Sequence, residues 1–181
     1  MYEAFRKSYE VPPFFFRNYT ELSEEEKLEV LRCRNAEEVR KWMCSTDEIE
    51  VENHLAYIER LKESDTNFYW AVYDSSGNFL GGISLVGMKD WSADSGIFLN
   101  PEFIGSGLGS KISIASMEFY FKQMGMKSIY SVVNAGNVQA ILMNKRLGCI
   151  FGEEKDGFLP VSLSAAQWEQ KRGKLLKLLK F

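Results

Sequence analysis

Ile97-Phe98-Leu99-Asn100-Pro101-Glu102-Phe103-Ile104-Gly105-Ser106-Gly107-Leu108-Gly109-Ser110 is the stretch that decides the fold. Its bulky apolar beginning reads as a strand, and Pro101 stops it. Glycines follow at 105, 107 and 109, and a helical pattern starts at Ser110. Glycine admits positive φ and lets the backbone come close to a ligand. A helix N-terminus adds free N–H groups and the positive end of the macrodipole. Such a turn suits an anion, and phosphate or pyrophosphate is the expected ligand. On these residues alone, a flexible surface loop is the plain alternative.

Two nucleotide-loop patterns fail on this stretch. A Walker A loop needs Gly-Lys followed by Ser or Thr, and here the order is Gly109-Ser110-Lys111. A dinucleotide fingerprint needs glycine where Ser110 stands, and it belongs to the first turn of a long doubly wound domain. A second stretch, Asn137-Val138-Gln139-Ala140-Ile141-Leu142-Met143-Asn144-Lys145-Arg146-Leu147-Gly148-Cys149, reads as a helix capped by Asn137 and stopped by Gly148. Together the two stretches resemble the GNAT superfamily of N-acetyltransferases. Its acetyl-CoA loop is Arg/Gln-x-x-Gly-x-Gly/Ala and its second signature is N-x-x-A-x-x-x-Y-x-x-x-G-F. The loop glycines, Asn137, Ala140 and Gly148 match. Ile104 stands where Arg or Gln is usual, Asn144 replaces the tyrosine, and Cys149 replaces the phenylalanine. The resemblance spans residues 14–163.

Composition sets outer bounds. The 181 residues suffice for one domain with a proper core, read as 1–181. Hydrophobic residues make up 45% and charged residues 26%, ordinary for a globular protein. A net charge of −3 argues against a nucleic-acid partner. Cys33, Cys44 and Cys149 have no metal-like spacing, and one histidine rules out a histidine-rich metal site, so no metal is expected. Reduced thiols, the lack of a signal peptide and the lack of an apolar span point to a cytoplasmic protein without stable membrane insertion.

Periodicity predicts a strand over 14–17, helices over 21–34 and 50–62, and strands over 68–73 and 79–86 around Asp74-Ser75-Ser76-Gly77-Asn78. The strand ending at Leu99 follows. A helix over 110–124 closes at Gly125, then come a strand over 128–133, a helix over 137–147 and a strand over 159–163. The order β-α-α-β-β-β-α-β-α-β is α+β, a mixed, mostly antiparallel sheet flanked by helices, and it is the GNAT-like order. A basic amphipathic helix over about 164–181 ends the chain. It packs its leucines on the domain or on a second copy, as a homodimer, or lies on a membrane surface, with Gly173 interrupting it.

The resemblance implies acetyl transfer from acetyl-CoA to an amine. It makes Leu99 the backbone donor to the thioester carbonyl. It places the pyrophosphate on Ile104, Gly105, Ser106, Gly107, Gly109 and Ser110, with Asn137 and Asn144 also near acetyl-CoA. Asn144 has no acidic proton, unlike tyrosine with its pKa near 10; it can hydrogen-bond the sulfur or a water. Arg34-Asn35, Trp42-Met43 and His54-Leu55-Ala56-Tyr57 further resemble the branch that acetylates the 4-amino group of UDP-linked deoxy sugars of flagellin. Arg34 then meets a diphosphate bidentately. Met43, Tyr57, Trp91 and Phe98 supply apolar walls, and His54 contacts phosphate or takes the amine proton. The alternatives are a RimJ/RimL-type protein N-terminal acetyltransferase and a non-catalytic CoA-binding module. Arg34 in an ion pair, Met43 and Tyr57 in the core, and His54 as a structural residue are the plain readings of those side chains.

Overall fold

In the computed structural model, which describes residues 2–179, eight strands join one sheet in the order β1-β2-β3-β4-β5-β6-β8-β7. They are β1 (Tyr9–Val11), β2 (Phe14–Asn18), β3 (Phe68–Tyr73), β4 (Phe79–Lys89), β5 (Ser92–Leu99), β6 (Ser128–Asn134), β7 (Ile150–Phe151) and β8 (Phe158–Ser164). The helices among these residues are α1 (Glu24–Asn35), α2 (Glu37–Arg40), α3 (Val51–Leu61), α4 (Leu108–Glu118), α5 (Val138–Leu147) and α6 (Ala165–Leu175). Neighbouring strands run antiparallel except β5 and β6, which are parallel and pair only over Ser92–Asp94 and Ser128–Tyr130. Past that point they part. β5 stays on β4 as far as Leu99, and β6 stays on β8 as far as Asn134.

Strand alternation builds a core on each face. One face packs Trp70, Val72, Leu85 and Ile129 against Ile112 and Phe119 of the α4 segment and Trp168 of α6. The other packs Tyr19, Ala71, Tyr73 and Phe79 against Val30 of α1 and Ile58 and Leu61 of α3. The helix starts follow local chemistry. Ser23 with Glu26, and Ser164 with Gln167, form capping boxes, and the Asn137 side chain accepts the Ala140 N–H.

The α+β reading and the major elements stand, with differences of local origin. An edge strand, β1, precedes the expected first strand, and β7 and α2 are too short to leave a periodic signal. α1 starts at Glu24 because Ser23 caps it, and residues Tyr19–Glu21 form a 3₁₀ turn instead. α4 starts at Leu108, and Phe119–Gln123 widen into a π-helical turn before Gly125 closes the segment at φ +71°. Gly173 lies within α6 and does not interrupt it. Leu175, Leu176 and Leu179 pack on the core, and Arg172 pairs with Glu118 and Glu169. The terminal helix is therefore part of the domain; Lys180 and Phe181 lie outside the described residues. No helix among the described residues is long and apolar enough to cross a membrane.

His54 joins two helices. It is buried, and its Nε2 lies 2.9 Å from the Lys27 carbonyl of α1, which fixes Nε2–H as the donor in the neutral ring. Burial pushes its pKa below the ordinary value of 6.5, against the opposing pull of the Lys27 carbonyl. The unfolded chain therefore takes up this proton first as pH falls. The stabilisation is complete above the unfolded pKa, about 6.5, and is lost as pH drops through the folded value. Between pH 7 and 5 the melting temperature of the wild type should fall more than that of His54→Gln, whose amide can still donate to Lys27. Identical pH dependence in the two proteins would contradict this role.

Candidate active site

A cavity of about 90 Å³ lies beside β5 past the end of its pairing with β6. Its walls are Gly96 and Ile97 of β5, Ser113, Ser116 and Met117 of α4 with Tyr120 beyond it, and Ala140, Met143 and Asn144 of α5. At the end of β5 the Asn100 N–H donates to the Leu80 carbonyl of β4 at 2.8 Å. Successive N–H groups of a strand point to opposite edges. The Leu99 N–H therefore points away from β4, toward the edge that β6 has left. Asn100 is itself buried and donates from Nδ2 to the Phe79 carbonyl at 2.9 Å, so the strand end is held rigidly to β4.

The glycine loop follows directly. Ile104 N–H is taken by the Pro101 carbonyl, Ser106 N–H by Phe103 and Ser110 N–H by Gly107, at 3.1–3.2 Å. These three amides close the turn and are not the free donors expected of them. The amides of Gly105, Gly107 and Gly109 have no partner among the described residues. Gly105 and Gly107 sit at φ +85° and +83°, and a Cβ on either would meet nothing within 4 Å. Gly107 also caps α4. Three open amides at alternate positions beside a helix N-terminus fit a diphosphate group. The Ile104 side chain is exposed and brings no charge.

Asn144 lines the cavity, yet both ends of its amide are engaged. Nδ2 donates to the Ala140 carbonyl at 2.9 Å, and Oδ1 accepts the Cys149 thiol at 3.3 Å. Burial raises that thiol to a pKa of about 11. One N–H of the Asn144 Nδ2 group stays outside these bonds, and Asn137 uses its side-chain oxygen to cap α5. The hydroxyls of Ser113, Ser116 and Tyr120 also face this region, donating to the carbonyls of Gly109, Ile112 and Ser84. Sequence reading missed them because the inner face of α4 looks like plain core.

Beyond the cavity, on the α1 face, the acceptor candidates gather around Tyr19 and Tyr69, whose rings are 5.4 Å apart. Tyr57 donates its hydroxyl to Tyr69 at 3.0 Å. The Phe98 ring lies over Gly82, and the Tyr19 hydroxyl lies over the same glycine. Arg34 ends α1 beside these tyrosines, half-buried; its Nη1 is buried with no hydrogen-bond partner, and it forms no ion pair among the described residues. Burial and the nearby Arg40 lower its pKa, opposed by Tyr19 and Tyr69. Arg40 leaves its own Nε buried and unpaired. Two bonds between Asn35 and Ile49, and Arg40 with Thr46 and Glu48, hold the loop that carries Trp42 and half-buried Met43. Trp42 reaches the connection after β6: a Cβ on Gly136 would lie 3.8 Å from its ring. His54 is not in this group, because its burial and its bond to Lys27 place it between helices. Trp91 is not either; its ring meets Tyr2 edge-on and Phe5 at a tilt in the opposite core.

The family model described as Acetyltransferase (GNAT) domain matches residues 16–150. The acetyltransferase PseH of Campylobacter jejuni subsp. jejuni serotype O:23/36 (strain 81-176) is 23% identical over 141 residues, covering 77% of this chain and 87% of that one. The crystal structure of Campylobacter jejuni PseH in complex with acetyl coenzyme A superposes with a TM-score of 0.68 at 18% identity, over 83% of this chain and 98% of that chain. A spermidine N-acetyltransferase from Vibrio cholerae, solved with CoA and spermine, superposes with a TM-score of 0.77 at 14% identity, over 87% and 98%. The family match spans the parted strands, the glycine loop and α5 alike, and the chain belongs to the GNAT acetyltransferase family.

Proposed function

We propose that this enzyme acetylates a primary amine on a nucleotide-linked deoxy amino sugar, the 4-amino group of a UDP-sugar, with acetyl-CoA as donor. The observation that carries the acceptor is Arg34, a half-buried guanidinium beside the acceptor face that forms no ion pair with a carboxylate among the described residues. A diphosphate supplies the missing partner bidentately. A polyamine would bring positive charge against Arg34 and Arg40. The likeness to the spermidine enzyme is a likeness of fold. The resemblance of Arg34-Asn35, Trp42-Met43 and the Tyr57 helix to the flagellin-sugar branch points the same way.

Acetyl-CoA supplies the activated acyl group. In this reading, the Gly105, Gly107 and Gly109 amides hold its diphosphate, and the Leu99 N–H hydrogen-bonds the thioester oxygen. One such oxyanion donor is worth about 3 kcal/mol of barrier. Phe98, Met43 and Tyr57 wall the sugar and base. The neutral amine forms the C–N bond as the C–S bond breaks, and its proton passes to the thiolate or to water. His54, neutral and bonded to Lys27, takes no part.

A panel of UDP- and dTDP-amino sugars, spermidine and ribosomal N-terminal peptides, read by mass spectrometry, tests the acceptor. Sugars should gain the acetyl group. Arg34→Ala should raise the sugar KM about tenfold or more, the loss expected for a charged hydrogen bond, and leave acetyl-CoA affinity unchanged. Acetylation of peptides and not sugars would give the RimJ/RimL-type activity instead.

Asn144→Ala should lower kcat by no more than about tenfold, since one neutral hydrogen bond is at stake. A loss of several orders of magnitude, with folding and CoA binding intact, would make Asn144 central to the chemistry.

A further inference from the structure

Gly81 lies against the one peptide unit on which the proposed chemistry turns. It faces Leu99 across β4 and β5. A Cβ built on Gly81 would stand 2.2 Å from the Phe98 carbonyl oxygen and 3.1 Å from the Leu99 Cα, and Gly81 itself has φ +155°. Both neighbours are backbone and cannot rotate away, and heavy atoms in contact sit at about 3.5 Å. The next glycine differs. A Cβ on Gly82 would meet the Phe98 ring at 2.4 Å and the Tyr19 hydroxyl at 2.8 Å, both ends of side chains that can swing.

The Phe98 carbonyl and the Leu99 N–H belong to the same planar trans peptide and point in opposite directions. With the carbonyl seated against the bare Cα of Gly81, the N–H is aimed at the opening beside β6. Asn100 secures the peptide from the other side. Its N–H goes to Leu80 at 2.8 Å, its Nδ2 to Phe79 at 2.9 Å, and its Oδ1 accepts the Glu102 N–H at 3.2 Å. Glycine weakens a strand interior unless another backbone must come close, and here one does.

We propose that Gly81 is a positioning residue for acetyl transfer: its missing side chain lets the Phe98–Leu99 peptide seat on β4 and thereby sets the direction of the Leu99 N–H. Asn100 completes the clamp. The proposal rests on the reading of Leu99 as the thioester donor. Gly81→Ala pushes the peptide off β4 and turns the N–H away from the acyl oxygen. The glycine loop, which binds the rest of the molecule, is untouched.

Infrared difference spectra of acetyl-CoA labelled with carbon-13 at the acyl carbonyl, bound to the full chain, test this without any acceptor. In the wild type the carbonyl band should move to lower wavenumber than in solution. In Gly81→Ala it should return toward the solution value while calorimetry gives an unchanged acetyl-CoA Kd. Gly82→Ala should keep the shift and raise the acceptor KM by displacing Phe98. If Gly81→Ala melts too readily to be assayed, Asn100→Ala loosens the same peptide from the other side and should lose the shift in part. A full shift in folded Gly81→Ala, or in Asn100→Ala, overturns the clamp and leaves Leu99 as donor. No shift in the wild type overturns the Leu99 reading itself, and the clamp with it.

Discussion

The hydrogen-bonded pairing of β5 with β6 ends at Asp94 and Tyr130, and the candidate active site depends on that interruption. A parallel pair that continued would have spent the Ile97 and Leu99 amides on its neighbour. Instead, backbone donors at the end of β5 face a gap. These N–H groups have no strand partner, so the gap is a place where a ligand's oxygen can be accepted. Each strand can leave the other because each is held elsewhere: β5 by its full ladder with β4, β6 by its ladder with β8. The two apolar cores, one under α4 and α6 and one under α1 and α3, hold the sheet closed around the opening.

The geometry then distributes the chemistry by element. The end of β5 carries the Leu99 N–H proposed to bond the thioester oxygen, the start of α4 carries the open glycine amides, and α5 lines the cavity with Ala140, Met143 and Asn144. The α1 end and the loop after α2 bring Arg34 and Trp42 to the far side. Charge follows the same division. The loop offers neutral dipoles to an anion, whereas Arg34 on the α1 face forms no ion pair with a carboxylate among the described residues. The tyrosine that GNAT enzymes usually carry on α5 is absent. Asn144 stands there, bonded to Ala140 and Cys149, and its amide has no acidic proton to donate.

Much of this was legible in the chain. Pro101, the alternate glycines and the helical run after them define the strand-loop-helix unit whatever surrounds it. Asn137 and Gly148 bracket α5 in the same way. What the sequence did not disclose depends on tertiary geometry. Ile104, Ser106 and Ser110 look equivalent to the glycines between them, and only the folded turn reveals that their amides close it. His54 stands in a motif that suggests function, but its ring lies against Lys27, a residue far from it in sequence. Asn144 matches a catalytic position while its local partners, Ala140 and Cys149, occupy it. Gly81-Gly82 and Asn100 did leave a signal: two glycines inside an apolar strand mark close approach, and an Asn before Pro is a natural turn cap.

Hydrogen exchange at single amides tests the central claim, that the strands part to leave the Leu99 N–H free for an acyl oxygen. Without ligand, the Leu99 amide should exchange much faster than Asn100, which is bonded to Leu80. Acetyl-CoA should then protect Leu99 together with Gly105, Gly107 and Gly109, and change Ile104 and Ser106 little. Strong protection of Leu99 in the free protein, or no gain on adding acetyl-CoA, would contradict the account.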